Sequence, residues 1–370
     1  MAVPLLDLKA QHATIRDSVM NAMTKVIDEQ AFILGEPVER LEREVALLSR
    51  TTHAIGCANG TDALLLSLRA LNVGRGDEVL TAPFTFFATA GAVHNVGARP
   101  VFADIDPDTF NLSTAAVAAS IKPSTKAVIT VDLFGQMAPI EAIMDAAGDL
   151  PVIEDAAQSI GARRKIEEKW VMAGEAATIG TFSFFPSKNL GGYGDGGMIV
   201  TQNDEIATRL RRLRVHGGMK TYYHEEVGYN SRLDALQAAV LSAKLVNLAS
   251  WSAARRKNAA YYNAAFADLD DVRTPTIDPA NESIYNQYTL RVAHRDGLQT
   301  HLKDKKIGSA VYYPLSLHLQ PCFEYLGYKR GAFPESEKAT QEVISIPVYP
   351  ELKQSQLDEV IEAVRGFYGH

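Results

Sequence analysis

Cysteine is almost missing from this chain: Cys57 and Cys322 are the only two in 370 residues. Two thiols cannot build a disulfide framework, and with no Cys-x-x-Cys or Cys/His spacing they point to no zinc site. Long apolar runs are missing as well, and none approaches the ~20 residues that cross a bilayer. Met1–Asp7 lacks the basic-then-apolar pattern of a secretory signal. Positive charge is in deficit, 37 Lys and Arg against 44 Asp and Glu, a net charge of −7. That balance argues against a nucleic-acid surface of the usual electrostatic kind. The one basic cluster, Arg209, Arg211, Arg212 and Arg214, lies on a predicted helix striped by Ile206, Leu210 and Leu213. Its arginines are expected mostly on the opposite, solvated side. Glycine and proline, 26 and 16, are too few and too scattered for a low-complexity chain. What is present is 46% apolar and 22% charged, ordinary for a globular protein long enough for two or three domains. The expectation is a cytoplasmic protein of small-molecule chemistry, with no membrane and no nucleic acid among its partners.

From Thr51 to about Leu213, strand-like apolar runs alternate with helix-like segments. Strands are predicted at Ala54–Ala58, Glu78–Ala82, Pro100–Asp104, Lys126–Asp132, Pro151–Glu154, Thr181–Phe185 and Met198–Thr201. Helices are predicted at Thr61–Leu71, Ala88–Asn95 and around Pro139–Ala147. Such alternation implies crossover connections and a largely parallel sheet covered on both faces, an α/β fold. Leu41 and Val45–Leu48 form an amphipathic segment expected to pack on that sheet or on a partner subunit. A long helix is predicted over Leu233–Ala267, burying Leu236, Val240, Ala243, Leu245 and Val246. The texture then changes: a Pro/Asp loop at Thr274–Ala280, strands at Tyr285–Val292 and Ala310–Tyr313, and a helix at Asp296–Lys305. The expected division is a large α/β domain over residues 1–250 and a smaller C-terminal α+β domain over 251–370.

Three segments carry the chemistry. In Cys57-Ala58-Asn59-Gly60-Thr61-Asp62, a strand ends, a glycine follows, and a helix starts with Thr61 and Asp62 expected in capping positions. Free amides and the positive helix end make that a phosphate cradle, although an ordinary capped helix reads the same way. In Ile153-Glu154-Asp155-Ala156-Ala157-Gln158, Asp155 falls at the carboxyl end of an apolar strand, where parallel sheets place ligand groups. It suits a metal, a base, a protonated ring nitrogen, or merely the cap of the next turn. The third segment, Thr181 to Gly197, runs from a buried aromatic strand into Pro186, then a lone Lys188 among small flexible residues. A desolvated lysine loses its proton readily and condenses with an aldehyde. GxGxxG occurs at Gly192, Gly194 and Gly197, but a strand-like run follows it, so the dinucleotide context fails.

These pieces suit pyridoxal 5'-phosphate. It needs a lysine for its aldehyde, an acid for its ring nitrogen, a helix N-terminus with hydroxyls for its phosphate, and an aromatic face for its ring. Lys188, Asp155, Gly60 with Thr61 and Ser183, and the aromatics of Phe84-Thr85-Phe86-Phe87 answer in that order. The acid keeps the pyridine protonated, and Lys188 moves a proton between substrate and cofactor carbons, which is transamination. Asp104, Asp106 and Asp108 read as strand-end turn residues more readily than as metal ligands. His216 reads equally as a pocket residue and as a loop residue. Trp170 with Arg163–Lys169 reads as an exposed hairpin.

The chain resembles the PLP-dependent nucleotide-sugar aminotransferases of the DegT/StrS family, within fold type I. The resemblance runs from Leu6-Asp7-Leu8 and Phe32-Ile33-Leu34-Gly35 through these segments to Gly228-Tyr229-Asn230-Ser231-Arg232-Leu233-Asp234. It continues through Gln287-Tyr288-Thr289 and Tyr312-Tyr313-Pro314 to Ile346-Pro347-Val348-Tyr349-Pro350. It implies that Lys188 carries the cofactor and shuttles the proton, Asp155 pairs with the pyridine nitrogen, and Gln158 contacts the ring hydroxyl or stacks nearby. It implies Phe86 against the ring, and Gly60, Thr61 and Ser183 at the phosphate, joined by Asn230 of the neighbouring subunit, hence a homodimer with shared sites. Relatives with His for this lysine are dehydratases, and Lys188 is retained. Phe184-Phe185-Pro186-Ser187-Lys188-Asn189-Leu190-Gly191 is similar to the branch aminating 3-keto sugars, with L-glutamate as donor. By the same resemblance Arg232, Tyr312 and Tyr313 approach a UDP-linked 3-keto-N-acetylhexosaminuronate, with Tyr312 standing where that branch is expected to carry His. A dTDP-linked 3-keto-6-deoxyhexose is the second candidate acceptor. Dehydratase or lyase chemistry on the same cofactor, and a PLP-binding sensor without turnover, are also compatible with these residues.

Overall fold

The computed structural model describes residues 3–220 and 222–369. Seven strands form the main sheet: β1 (His53–Cys57), β2 (Glu78–Thr81), β3 (Arg99–Phe102), β4 (Thr125–Val131), β5 (Val152–Asp155), β8 (Ile179–Ser183) and β9 (Gly197–Thr201). Between β5 and β8 the chain makes the hairpin β6 (Arg163–Ile166) and β7 (Lys169–Met172). The order in the sheet is β1-β9-β8-β5-β4-β2-β3. All strands run parallel except β9, which is antiparallel to both its neighbours. Each strand is an apolar run because both faces are covered. Helices Gly60–Ala70, Phe87–Asn95 and Asp204–Leu213 cover one face through Leu64, Ala88, Ala92 and Leu210. Helices Glu36–Leu48, Ile140–Ala147 and Ala235–Leu245 cover the other through Leu41, Val45, Ile143 and Leu241. The expected α/β class and mostly parallel sheet are found, and Leu41 and Val45 pack on the sheet as anticipated.

A second sheet, β10 (Val272–Arg273), β12 (Tyr288–Val292) and β13 (Val343–Ile346), has its own apolar cluster. Tyr262, Leu290, Leu298, Ile344 and Val360 belong to that cluster. The short β11 (Asn281–Glu282) instead adds to the β6–β7 hairpin. Ala310–Tyr313 is not a strand: a single bridge, Ala310 to Ser345, is all that forms. The predicted helix Leu233–Ala267 is two, Ala235–Leu245 and Leu248–Ala265. Asn247, a weak helix former, falls at the break, and Val246 is 79% exposed there instead of buried.

The basic cluster also departs from expectation. Arg209 and Arg212 pair with Glu226, and Arg212 also with Glu225, tying the helix to the loop that follows it. Arg214 is buried, paired with Glu42 and donating to the Gly56 carbonyl at 2.8 Å. Removing one partner of a buried pair leaves an uncompensated charge. Arg214→Ala is therefore expected to cost about 3–5 kcal/mol of stability, read by denaturant unfolding. The β6–β7 hairpin is exposed only in part. Arg163 lies over the Trp170 ring at 4.5 Å, and Arg164 is buried against Glu141 and Asp278.

Candidate active site

Asp155 is the last residue of β5 and Ser183 the last of β8, and Cys57 ends β1 two residues before Asn59. All three lie on the carboxyl edge of parallel strands, where such sheets place ligands. Gly197, the first residue of β9, pairs with both Cys57 and Ser183 and draws these strand ends together. A Cβ on Gly197 would lie 2.4 Å from the Asn59 carbonyl oxygen, so only glycine permits this approach.

The helix cap is Asn59, not Thr61 or Asp62: its Oδ1 accepts from the Asp62 amide at 2.8 Å, and its carbonyl accepts from Ala63. Gly60 and Thr61 thus supply the first two amides of the helix, which have no intrahelical partner and remain open to a phosphate. Ser183 lies directly against them, since a Cβ on Gly60 would sit 2.7 Å from the Ser183 Cβ. Gly60→Ala is expected to displace Ser183, weaken cofactor retention and cost about 1–3 kcal/mol of stability through overpacking. Titration of the purified variant with pyridoxal phosphate and thermal unfolding check this.

Asp155 is buried. Its Oδ2 accepts from Thr89 Oγ1 at 2.9 Å and its Oδ1 from the Ala157 amide at 3.3 Å. Burial raises its pKa, while these two hydrogen bonds and the Lys188 charge pull the other way. Lys188 is partly buried, and among the described residues its Nζ makes no hydrogen bond. Burial brings its pKa down to about 8, against the attraction of Asp155. Desolvation thus supplies a lysine that is partly neutral near physiological pH beside a single carboxylate.

Phe86 is 58% exposed and faces the Tyr313 ring at 6.3 Å between centroids. Gln158 fixes Tyr313, donating from Nε2 to its hydroxyl at 3.2 Å, while Gln158 Oε1 accepts from the Phe134 amide at 2.6 Å. Tyr312 packs edge-on to Tyr313. Asn230 and Arg232 stand apart from this group: Asn230 is exposed, pairing with Val215 through backbone, and the Arg232 guanidinium has no partner among the described residues. Between them, Ser231 donates to Asp62 at 2.7 Å, which sets this segment beside the start of the helix Gly60–Ala70. Thr89 was not foreseen. Only its helical spacing from Thr85, with which it shares a 3.1 Å hydrogen bond, hinted at a polar stripe.

Asp104 and Asp106 hold backbone amides, and His216 lies in a loop. Asp104 caps the helix Pro334–Glu342 by accepting from the Glu335 and Ser336 amides, and Asp106 accepts from the Asp108 and Thr109 amides of its own turn. His216 sits in a loop with φ +64°, its carbonyl accepting from His224 Nδ1.

An open-amide helix start, a hydroxyl beside it, a lysine of lowered pKa and a buried carboxylate meet the needs of pyridoxal phosphate. Residues 13–365 match the DegT/DnrJ/EryC1/StrS aminotransferase family. The chain belongs to that family. It is 50% identical to a Geobacillus stearothermophilus protein named pleiotropic regulatory protein, over 100% of both chains. It is 43% identical to the UDP-N-acetyl-3-dehydro-alpha-D-glucosamine 3-aminotransferase of Acidithiobacillus ferrooxidans, covering 98% of this chain and 97% of the relative. It is 42% identical to the UDP-2-acetamido-2-deoxy-3-oxo-D-glucuronate aminotransferase of Pseudomonas aeruginosa, covering 98% and 99%. The crystal structure of DesV from S. venezuelae superposes with a TM-score of 0.97 at 38% identity, over 100% and 99% of the chains. This family member is accordingly a PLP-dependent aminotransferase of the fold class its sequence implied. No helix among its described residues is long and apolar enough to cross a membrane.

Proposed function

We propose that this aminotransferase moves the amino group of L-glutamate to a 3-keto nucleotide sugar, with UDP-2-acetamido-3-keto-glucuronate the favoured acceptor. It would work in the cytoplasm, as a homodimer, in the making of amino sugars for polysaccharide or O-antigen (lipopolysaccharide). The observation that carries this reading is the retained Lys188 beside buried Asp155 in a chain similar, end to end, to two aminotransferases of UDP-linked 3-keto sugars.

Bound pyridoxal phosphate supplies an electron-withdrawing ring that stabilises negative charge at the substrate carbon. Gly60, Thr61 and Ser183 hold its phosphate. Asp155 keeps the proton on the ring nitrogen, and Thr89 fixes the carboxylate that does so. Phe86 and Tyr313 exclude water from the ring's surroundings. Lys188 Nζ would take the proton from the amine-bearing carbon of the donor and hold it for return on the far side of that nitrogen. Arg232, with no partner among the described residues, is assigned to a charged part of the acceptor, and the uronate carboxylate suits it. Asn230 is assigned to the phosphate of the partner subunit's site.

The test is the visible spectrum of the holoenzyme. Glutamate alone should bleach the cofactor band and release 2-oxoglutarate, and the UDP-3-keto-uronate should restore the band. A band indifferent to glutamate would discard the donor, and restoration only by a dTDP-linked 3-keto-6-deoxyhexose would transfer the assignment to that acceptor. Shared sites have their own test: mixing inactive Lys188→Ala and Asn230→Ala subunits should regenerate activity in hybrid dimers. Verified subunit exchange with no activity would remove Asn230 from the site.

A further inference from the structure

On the face of β5 opposite Asp155 lie two more carboxyl groups, Glu154 and Asp132, 0% and 1% exposed. The two side chains are within hydrogen-bonding reach of each other. Asp132 already accepts twice, at Oδ1 from the Ala138 amide at 2.8 Å and at Oδ2 from Ser159 Oγ at 2.7 Å. Glu154 Oε2 accepts from the Gly174 amide at 3.0 Å, but its Oε1 is buried with no donor among the described residues. Among the described residues no ion pair reaches either group, and the charged neighbours that bear on them, Asp155 and Glu175, are acids. Two adjacent carboxylates, away from water and without a counter-charge, are strongly unfavourable. Two carboxyl groups can hydrogen-bond to each other only through a proton. Asp132, with two donors, is arranged as the anion. The orphan oxygen of Glu154 is where the proton belongs.

We propose that Glu154 is protonated and donates to the Asp132 carboxylate, and that this shared-proton pair is a positioning device for Asp155 and Gln158. The Asp132 amide donates to the Asp155 carbonyl at 3.1 Å, and its carboxylate holds Ser159, four residues further on. The Phe134 amide holds Gln158 from the same chain segment. The turn carrying the ring-nitrogen acid and the Tyr313 partner is thus pinned at both ends to the exit of β4. Burial raises the pKa of both groups, that of Asp132 to about 6. A carboxyl raised in the folded state keeps a proton that the unfolded chain releases. Stability is therefore fully present below the unfolded pKa and falls as pH rises toward the folded one.

Infrared spectroscopy of the wild-type holoenzyme at neutral pH should show the C=O stretch of a protonated carboxyl group, lost in Glu154→Gln and kept in Asp155→Asn. The glutamine amide supplies the donor without titrating. Glu154→Gln should therefore retain cofactor as the wild type does, and its melting temperature should fall less between neutral and alkaline pH. Asp132→Asn, which cannot accept from both Ser159 and Ala138, should release cofactor faster. An infrared band untouched by Glu154→Gln, an unchanged pH slope of melting, or a Glu154→Gln variant that does not fold would each overturn the proposal. The infrared and melting measurements do not depend on the reaction, so their failure would leave the aminotransferase reading intact. The cofactor-release comparison rests on that reading.

Discussion

Lys188→Ala is expected to lower turnover by about 10²–10⁴-fold while the protein folds and still binds pyridoxal phosphate. Among the described residues the lysine side chain makes no hydrogen bond, and its desolvation is a cost that alanine removes. The proposed phosphate cradle at Gly60, Thr61 and Ser183 does not depend on it. Steady-state rates with glutamate, circular dichroism and cofactor titration separate these effects. A variant with near-native rate would remove Lys188 from the chemistry. The pH dependence follows from the same burial. A lysine whose pKa is lowered to about 8 becomes neutral, and hence nucleophilic, through that pH and not through its ordinary 10.5. Acylation of Lys188 in the cofactor-free protein, followed by mass spectrometry, should have its midpoint there. A midpoint near the ordinary value would mean that the side chain is solvated.

Asp155→Asn should lower turnover by about 10²–10³-fold, the size of losing one preorganised charge aimed at a reacting group. The change is nearly isosteric. The asparagine oxygen can still accept from Thr89, so packing and the 2.9 Å contact can persist while the negative charge goes. An uncharged partner no longer holds a proton on the ring nitrogen, and the ring then withdraws electrons less strongly. Single-turnover reaction with glutamate isolates this step, because bleaching slows while cofactor remains bound through its phosphate. If bleaching kept its wild-type rate, Asp155 would be a structural residue and another group would serve the ring nitrogen.

Much of this was legible in the sequence because periodicity and strand-end position are local properties. Apolar runs broken by helical stripes set out the seven-stranded sheet with shifts of one or two residues, as at Ala54–Ala58 against His53–Cys57. An acid at a strand's end, a glycine at a helix start and a lysine in a small-residue loop each announced themselves without knowledge of their neighbours. Local signals failed where a polar group's partner lies far along the chain. Thr89 meets Asp155 across 66 residues and Arg214 meets Glu42 across 172. Thr61 and Asp62 looked like caps, yet the neighbouring Asn59 had the geometry.

The sequence alone determined the α/β class and the cofactor and singled out Lys188 and Asp155 as candidates, since each follows from residue type at a recognisable place along a strand or helix. Only the tertiary structure decided which of the arginines is buried and what fixes Asp155. It also decided that Glu154 and Asp132 lie against each other. Those contacts follow from strand order, with β5 beside β4 and β9 inserted between β1 and β8. Strand order is set by how the helices pack across the sheet, and no stretch of sequence states it.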